Sequence, residues 1–403
     1  MTDAGSPRGG ALAGLKVVDL SRVLAGPYAA QILADHGAAV IKVEPPAGDE
    51  VRDWGPPFDD GETPFHRSVN RNKRTIALDL TREAGREVLL RLLADADVLV
   101  ENFKGGTLEG WGIGADVLRE RFPRLVHCTI TGFGLDGPWG GLPGYDLFMQ
   151  AWSGMMSING APESGPNRLG LPLIDLTTGL NAAFGIMLAL RQRDVTGEGQ
   201  QVEVALFDTA LSMLIPAAQT YFFTGIPPGL SGSTHPAISP YSLHQTAGRS
   251  ILLAAGNNRM FANLCAVLGK PELAKDARFI DNPQRVANRA ELTAEIEACM
   301  AGRDGEELAI ELMRAGVGAG AVFSVGDAID HPHARHREMV VEIDGHKALG
   351  VPIKLSRSHP PKPTRSPAFA EQNDEILREL GYREGEIAAL GEEGAVVAAR
   401  TKG

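Results

Sequence analysis

Cysteine is scarce in this 403-residue chain: Cys128, Cys265 and Cys299 are far apart and never form a CxxC pair. That pattern excludes a disulfide framework and a cysteine zinc site, and it reads as buried thiols in a reducing compartment. Positive charge is also in deficit, 39 Lys and Arg against 50 Asp and Glu, for a formal net charge of −11. A general nucleic-acid binder needs a basic footprint, so that class is excluded; a local basic pocket for a small anion is not. No GxGxxG follows the first apolar strand, where "SRVLAGP" stands instead, and no GxxxxGK[ST] occurs anywhere. The glycine-rich "GFGLDGPWGGLPG" (132–144) follows a later strand, contains two prolines and reads as a mobile loop rather than a pyrophosphate cradle. The N-terminal "MTDAGSPRGGALAG" lacks the apolar core of a signal peptide. The longest apolar stretches, 171–190 and 209–230, are interrupted by Asp175, Asn181, Pro216 and Gln219, so no membrane span is expected. His331, His333 and His336 share a charged loop without a completing carboxylate motif, and no metal site is expected. The expectation is a cytoplasmic protein.

What is present is an ordinary globular composition, 43% hydrophobic and 22% charged, at a length that favours two domains. Strands are expected at 15–20, 38–44, 97–102 and 124–132, with helices at 26–37 and 82–96. Short apolar strands separated by helices indicate parallel βαβ units, hence a doubly wound α/β domain. "TGEGQQVEVALFD" (196–208) adds a turn, a strand and the start of a further helix. Residues 1–222 form the first part of the large domain on this reading. The Gly-, Pro- and Ser-rich 223–242 is a linker, 243–335 is a smaller α/β domain, and 336–403 returns to end in helices near 371–380 and 384–391.

Polar residues cluster at or just past the carboxyl ends of the expected strands: Asp19, Ser21 and Arg22, then Glu44, Glu101 with Asn102, and Thr131. Open α/β sheets bind ligands along that edge. Arg71, Lys73 and Arg74 in "HRSVNRNKR" are the sharpest basic cluster, fitting either a solvated turn or a phosphate site, and Lys104 adds a cation after the third expected strand. Asp175 carries the only charge in "LGLPLIDLTTGLNAAFGIMLAL" (169–190). It suits a helix cap, whose carboxylate accepts hydrogen bonds from the first turn and complements the dipole. It also suits a nucleophile, which needs shielding from water and N–H donors for an oxyanion, both available at a helix N-terminus beside glycine-rich loops. The two roles are compatible.

Seven separated motifs then agree: "DLSRVLAGPYAAQILADHGAAVIKVEPPAGD", "NRNKRTIALDL", "ADVLVENFKGGTLEGWGIG", "GYDLFMQAWSG", "LPLIDLTTG", "TGEGQQVEVALFD" and "HPAISPY". Together, over about 12–392, they resemble the family III CoA-transferases, which also include formyl-CoA transferase, carnitine CoA-transferase and α-methylacyl-CoA racemase. The resemblance implies a Rossmann-like large domain built from both chain ends, a small domain between them, and an interlocked homodimer. It places Asp175 at the catalytic aspartate, which forms aspartyl anhydride and aspartyl-CoA thioester intermediates. CoA contacts carry over to Arg22, Val23 and Leu24, to Leu78, to Asn102 and Phe103, and near Tyr145, with Arg71, Lys73, Arg74 and Lys104 as candidates for its phosphates. Acyl-CoA and a carboxylic acid are the implied substrates, succinyl-CoA a natural donor, and no tightly bound cofactor is implied. Arg22 could then pair a distal carboxylate of the substrate.

Two positions often basic in relatives are Pro45 and Gly110 here, and the region of a closing glycine loop reads "SGSTHPAISPY". The racemases share the aspartate but use a histidine where this chain has Tyr145, and a further acid near Ser242. Racemisation needs a second proton-transfer group, and a phenol, ordinarily ionising near ~10, replaces imidazole poorly. CoA transfer is therefore the expected activity, with racemisation and non-catalytic acyl-CoA binding as the alternatives.

Overall fold

Six parallel strands form the main sheet: β1 (Lys16–Asp19), β2 (Ala39–Glu44), β3 (Lys73–Ala77), β4 (Val98–Glu101), β5 (Val126–Thr131) and β6 (Gln201–Ala205). The structure, a computed structural model, describes residues 9–59 and 62–398, so most of the N-terminal stretch read as lacking a leader lies outside the described residues. Strand order is β3-β2-β1-β4-β5-β6, so the chain winds outward from β1 in one direction and from β4 in the other. That reversal leaves a crevice at the carboxyl ends of β1 and β4, where doubly wound sheets bind ligands.

β1 and β4 carry short unbroken apolar runs, VV and VLV, because helices cover both faces. Successive side chains alternate: Val17 joins one core layer with Val40, Val98 and Val126, while Val18 joins the other with Val43, Ile76 and Leu99. The first layer packs on the helices Ala25–Asp35 and Leu173–Thr196. The second packs on Glu83–Leu93 and on Ile376, Leu377 and Leu390 from near the C-terminus. Helix Leu173–Thr196 changes one expectation. At 24 residues it is long and apolar enough, by length and composition, to cross a membrane. Here its buried positions Ile174, Ala182, Ile186 and Ala189 belong to the core.

β3 is the strand the sequence reading overlooked, because the cations of "NRNKR" were weighed as a solvated turn or a phosphate site and not as part of a strand. Lys73 and Arg74 lie within the strand, and pleating sends them to opposite sides. Lys73 points inward. Its Nζ donates to Asp19 at 2.9 Å, to the Pro27 carbonyl at 2.8 Å and to Asn70 at 2.9 Å. Next to it, buried Lys42 pairs with Asp49 at 2.9 Å and donates to the Ser21 carbonyl at 2.8 Å. Glu44, also buried, accepts two hydrogen bonds from Arg52, at 2.7 and 2.6 Å. Burial works against the Glu44 anion, but the Arg52 guanidinium outweighs it and holds the carboxyl down at about 2.

The chain divides into two units, Met1–Met155 with Leu169–Gly225 and Glu338–Gly403, and Met156–Arg168 with Ile226–Arg337. The segment Met156–Arg168 thus falls with the second unit, and part of the expected linker is strand Tyr241–His244. In the second unit that strand pairs antiparallel with Ile251–Ala254, which pairs with Gly318–Ala321. Buried Arg285 braces this unit: its guanidinium donates to the Ser239 and Phe279 carbonyls and to Asn258, and lies over the Phe261 ring. The expected charged loop near 330–338 folds as a short helix, Pro332–His336, capped by His331. Among the described residues no group of three or more His, Cys, Asp or Glu is placed to hold a metal.

Removing one partner of a buried ion network strands the others, at a cost of about 3–5 kcal/mol. Lys42→Met is accordingly expected to lose stability of that order, measured by urea unfolding, whereas Lys16→Met, on an exposed pair, stays within ~0.5 kcal/mol.

Candidate active site

The crevice between β1 and β4 is held by a reciprocal clasp. The Asn102 side-chain carbonyl accepts from the Arg22 backbone N–H at 2.9 Å, and its amide donates to the Arg22 carbonyl at 2.9 Å. Val23 adopts φ +70°, a left-handed conformation strained for a β-branched residue. Its N–H donates to the Asp49 carboxylate at 3.2 and 3.3 Å, so the Lys42–Asp49 pair beneath the loop holds that strain in place.

Asp175 reaches this crevice through helix packing. A Cβ on Gly179 would lie 2.7 Å from the Ala25 carbonyl and 3.0 Å from Tyr28, so only glycine lets the two long helices approach so closely. One turn earlier on the same face stands Asp175, beside the loop that leaves β1. The cleft it lines, ≈ 240 Å³, is bounded by Arg22, Val23 and Leu24, by Asn102, Phe103 and Lys104, by Thr131 and Gly132, and by 141–145. A larger cleft, ≈ 580 Å³, lies along Phe133, Trp139 and Phe207 but does not include Asp175. Backbones of Gly132 and Gly144 touch closely enough that a Cβ on either would approach the other to 2.7 Å; this closes the base of the glycine-rich loop and places Tyr145 and Asp146.

The helix cap is not Asp175. Buried Asp146, from helix Asp146–Trp152, accepts from the backbone N–H of Ile174 at 2.7 Å and of Asp175 at 3.2 Å. Gln150 donates to its other oxygen at 2.5 Å. The cap therefore comes from another element, and the expected oxyanion donors of this helix terminus are already engaged. Asp175's own carboxylate accepts no hydrogen bond among the described residues. Burial, and then the neighbouring Asp146 charge, push it up to about 7. A half-buried carboxylate without hydrogen bonds and with raised basicity can act as a base or nucleophile near neutral pH.

The structure sorts the expected site residues into two groups. Arg22, Val23, Leu24, Asn102, Phe103, Lys104, Tyr145 and Asp175 all line one cleft. Arg71, Lys73, Arg74 and Leu78 lie outside it, Arg71 lining two separate cavities with Lys347 and Ala348. Arg71 makes a two-pronged pair with Asp35 and donates to the Leu349 carbonyl. Lys73 is sealed against Asp19, and Arg74 is held by Glu375 and Glu379. Leu78 is a core residue bridged to Val396. By contrast, Arg22 and Lys104 make no ion pair among the described residues, and Arg22 lies 5.8 Å from the Phe103 ring centroid. The reading of the sequence missed Asp146 and Asp49 as site components. An acidic residue opening "DLFMQAW" was the available signal for the first; the second had none, since its role depends on Lys42 arriving from β2.

A model of CoA-transferase family III matches residues 12–373. The succinate–glutarate CoA-transferase of Agrobacterium fabrum is 38% identical over 381 residues, 92% of this chain and 95% of that protein. The succinyl-CoA:mesaconate CoA-transferase of Haloarcula hispanica is 38% identical over 391 residues, 93% of this chain and 98% of that one. A solved CaiB/BaiF family protein from Brucella suis is similar at a TM-score of 0.86 and 40% identity, covering 92% of this chain and 100% of its own.

Asp175 keeps its proton to about 7 when folded, against an ordinary value of 3.8. Between those values the folded state binds more protons than the unfolded, so stability falls as pH rises. Asp175→Asn removes that loss. Its gain in unfolding free energy over the parent is expected to be larger at pH 8 than at pH 4, by on the order of 2 kcal/mol after allowance for partial exposure. Urea titrations at the two pH values measure it.

Proposed function

The chain belongs to CoA-transferase family III and moves coenzyme A between an acyl-CoA and a free carboxylic acid; from that premise we propose that Asp175 is the covalent group of the transfer. The observation carrying this reading is a carboxylate on the ligand cleft, without hydrogen bonds of its own and kept basic by its surroundings. Its ionised oxygen attacks the thioester carbonyl, the C–S bond breaks, and an aspartyl–acyl anhydride and CoA thiolate result. The thiolate then attacks the aspartyl carbonyl, releasing the first acid and leaving an aspartyl-CoA thioester. An acceptor carboxylate attacks that thioester, and the freed thiolate takes the new acyl group from the second anhydride. Each step conserves charge, so no external proton is required. Backbone N–H groups for the oxyanions come from Gly144 and Tyr145 on the cleft rim, since Asp146 holds those of Ile174 and Asp175.

Arg22 and Lys104 are the cations offered to CoA phosphates or to a distal substrate carboxylate, because the other basic residues near the sheet edge are paired. Relatives named for succinyl-CoA and for glutarate or mesaconate make a short dicarboxylate the natural partner class. CoA enters as substrate, and no tightly bound cofactor is invoked. The interlocked homodimer belongs to the same proposal. Helix Ile215–Thr224 has no buried residue, and Phe222 and Phe223 are 73% and 84% exposed, as suits a face that a second copy covers. Buried Cys128 and Cys265 agree with a cytoplasmic setting.

The deciding experiment mixes the protein in D₂O with succinyl-CoA, a chiral 2-methylacyl-CoA and a panel of acids, and follows every CoA ester by mass. New esters without α-deuterium are expected. Deuterium gained at the α-carbon without CoA exchange would make the protein a racemase. An Asp175→Ala variant that keeps acyl-CoA affinity with no turnover to lose would make it a binder. Because the anion attacks, kcat/KM is expected to fall as pH drops through about 7. Arg22→Ala should raise the KM for succinyl-CoA about tenfold, whereas Arg74→Gln should leave it unchanged.

A further inference from the structure

We infer that Asp146 is the positioning residue that sets the reactivity of Asp175, by occupying the helix terminus that would otherwise stabilise the Asp175 anion. This rests on Asp175 being the covalent group. An aspartate in the first turn of a long helix is ordinarily stabilised as its anion by free N–H groups and by the positive end of the dipole. Here both N–H groups that could serve it are taken. Asp146 accepts from Ile174 at 2.7 Å and from Asp175 at 3.2 Å, and it is itself buried and fixed by Gln150 at 2.5 Å. Gln150 is in turn anchored, accepting from the Leu169 N–H at 2.8 Å. The same contact sets a second negative charge beside the first.

Among the described residues no other element packed on this helix compensates directly: β5 brings His127, which faces Glu101, and β6 brings Glu203, which accepts from the Leu135 N–H. Helix Ala25–Asp35, packed against the Asp175 helix, brings Tyr28 and Asp35, and Asp35 is committed to Arg71. Helix Leu206–Ser212 brings only Asp208, which is exposed and lines the other cleft. Arg22, Glu50, Lys104 and Tyr145 line the same cleft, but none hydrogen-bonds Asp175. Asp146 thus performs two tasks that pull the same way: it removes donors and it adds like charge. The result is a carboxylate more basic than an ordinary one. A more basic nucleophile attacks better, provided the pH is high enough to ionise it.

The test is the pH profile of Asp146→Asn. Asn keeps an oxygen for the helix N–H groups but removes the charge. The acid limb of kcat/KM should move down by about one pH unit or more. Plateau turnover at pH 8 should fall several-fold, so that the variant keeps a larger fraction of its own maximum at pH 6 than the parent does. Purely structural damage would instead scale the whole profile down and leave the limb in place, and that result would overturn the inference. Should the variant not fold, infrared difference titration of the parent against Asp175→Asn locates the Asp175 carboxyl directly; a midpoint near 4 would equally overturn it. An Asp175→Ala variant with full transferase activity would instead refute the covalent role, which separates the two failures.

Discussion

Two lysines under the carboxyl edge of a parallel sheet, both shut off from water, are the constraint around which the site is assembled. Lys42 and Lys73 arrive from adjacent strands, and each must find anions or carbonyls in the interior or be left as an uncompensated buried charge. Asp49, Asp19, the Ser21 and Pro27 carbonyls and Asn70 meet that demand. In doing so they tie the loop after β1 to the strands beside it. The strained Val23 backbone is a consequence: its N–H is gripped by the same Asp49 that answers Lys42. Burial favours the neutral form of Asp19, yet Lys73 and Lys42 hold its carboxyl below the usual range, which keeps the network charged. Such networks contribute little net stability, but their geometry is demanding, and here that geometry sets where Arg22 and Leu24 face the cleft.

Above that floor, two carboxylates divide the work of one helix terminus. Asp146 supplies the cap, and the Asp175 carboxylate is left without a hydrogen bond among the described residues. A cap supplied by the helix itself would have neutralised the chemistry, because an aspartate engaged by N–H donors is stabilised as an anion and is a weaker nucleophile. Moving the cap to another helix separates stability from reactivity. The energetic burden falls on the burial of Asp175, and the tight packing of Gly179 on Ala25 is what keeps that position beside the loop from β1.

Much of this architecture was legible in the sequence. The alternation of short apolar strands with helices predicted the doubly wound sheet, and the strand-end positions of Arg22, Asn102 and Thr131 predicted its ligand edge. Asp175 was conspicuous as the one charge in an apolar run. The partners of the basic cluster were not legible, because charge counted along the chain says nothing about what it meets in space. Asp35 lies 36 residues from Arg71, and Glu375 and Glu379 lie 301 and 305 residues from Arg74, so their neutralisation has no local signature. Strand β3 was obscured for the same reason: Lys and Arg at its start read as a turn or an anion site when their partners are out of view.

The sequence by itself determined the fold class and the family to which the chain is similar, and it singled out Asp175 as the carboxylate that the resemblance implies reacts, because each of these depends on local periodicity or on motifs of residues adjacent in the chain. Only the tertiary structure decided which cations remain available, which carboxylate caps the helix and how basic Asp175 is. Those are properties of charge and burial between groups distant in sequence. Coulombic and desolvation energies depend on separation in space and on exclusion of water, and neither is written along the chain.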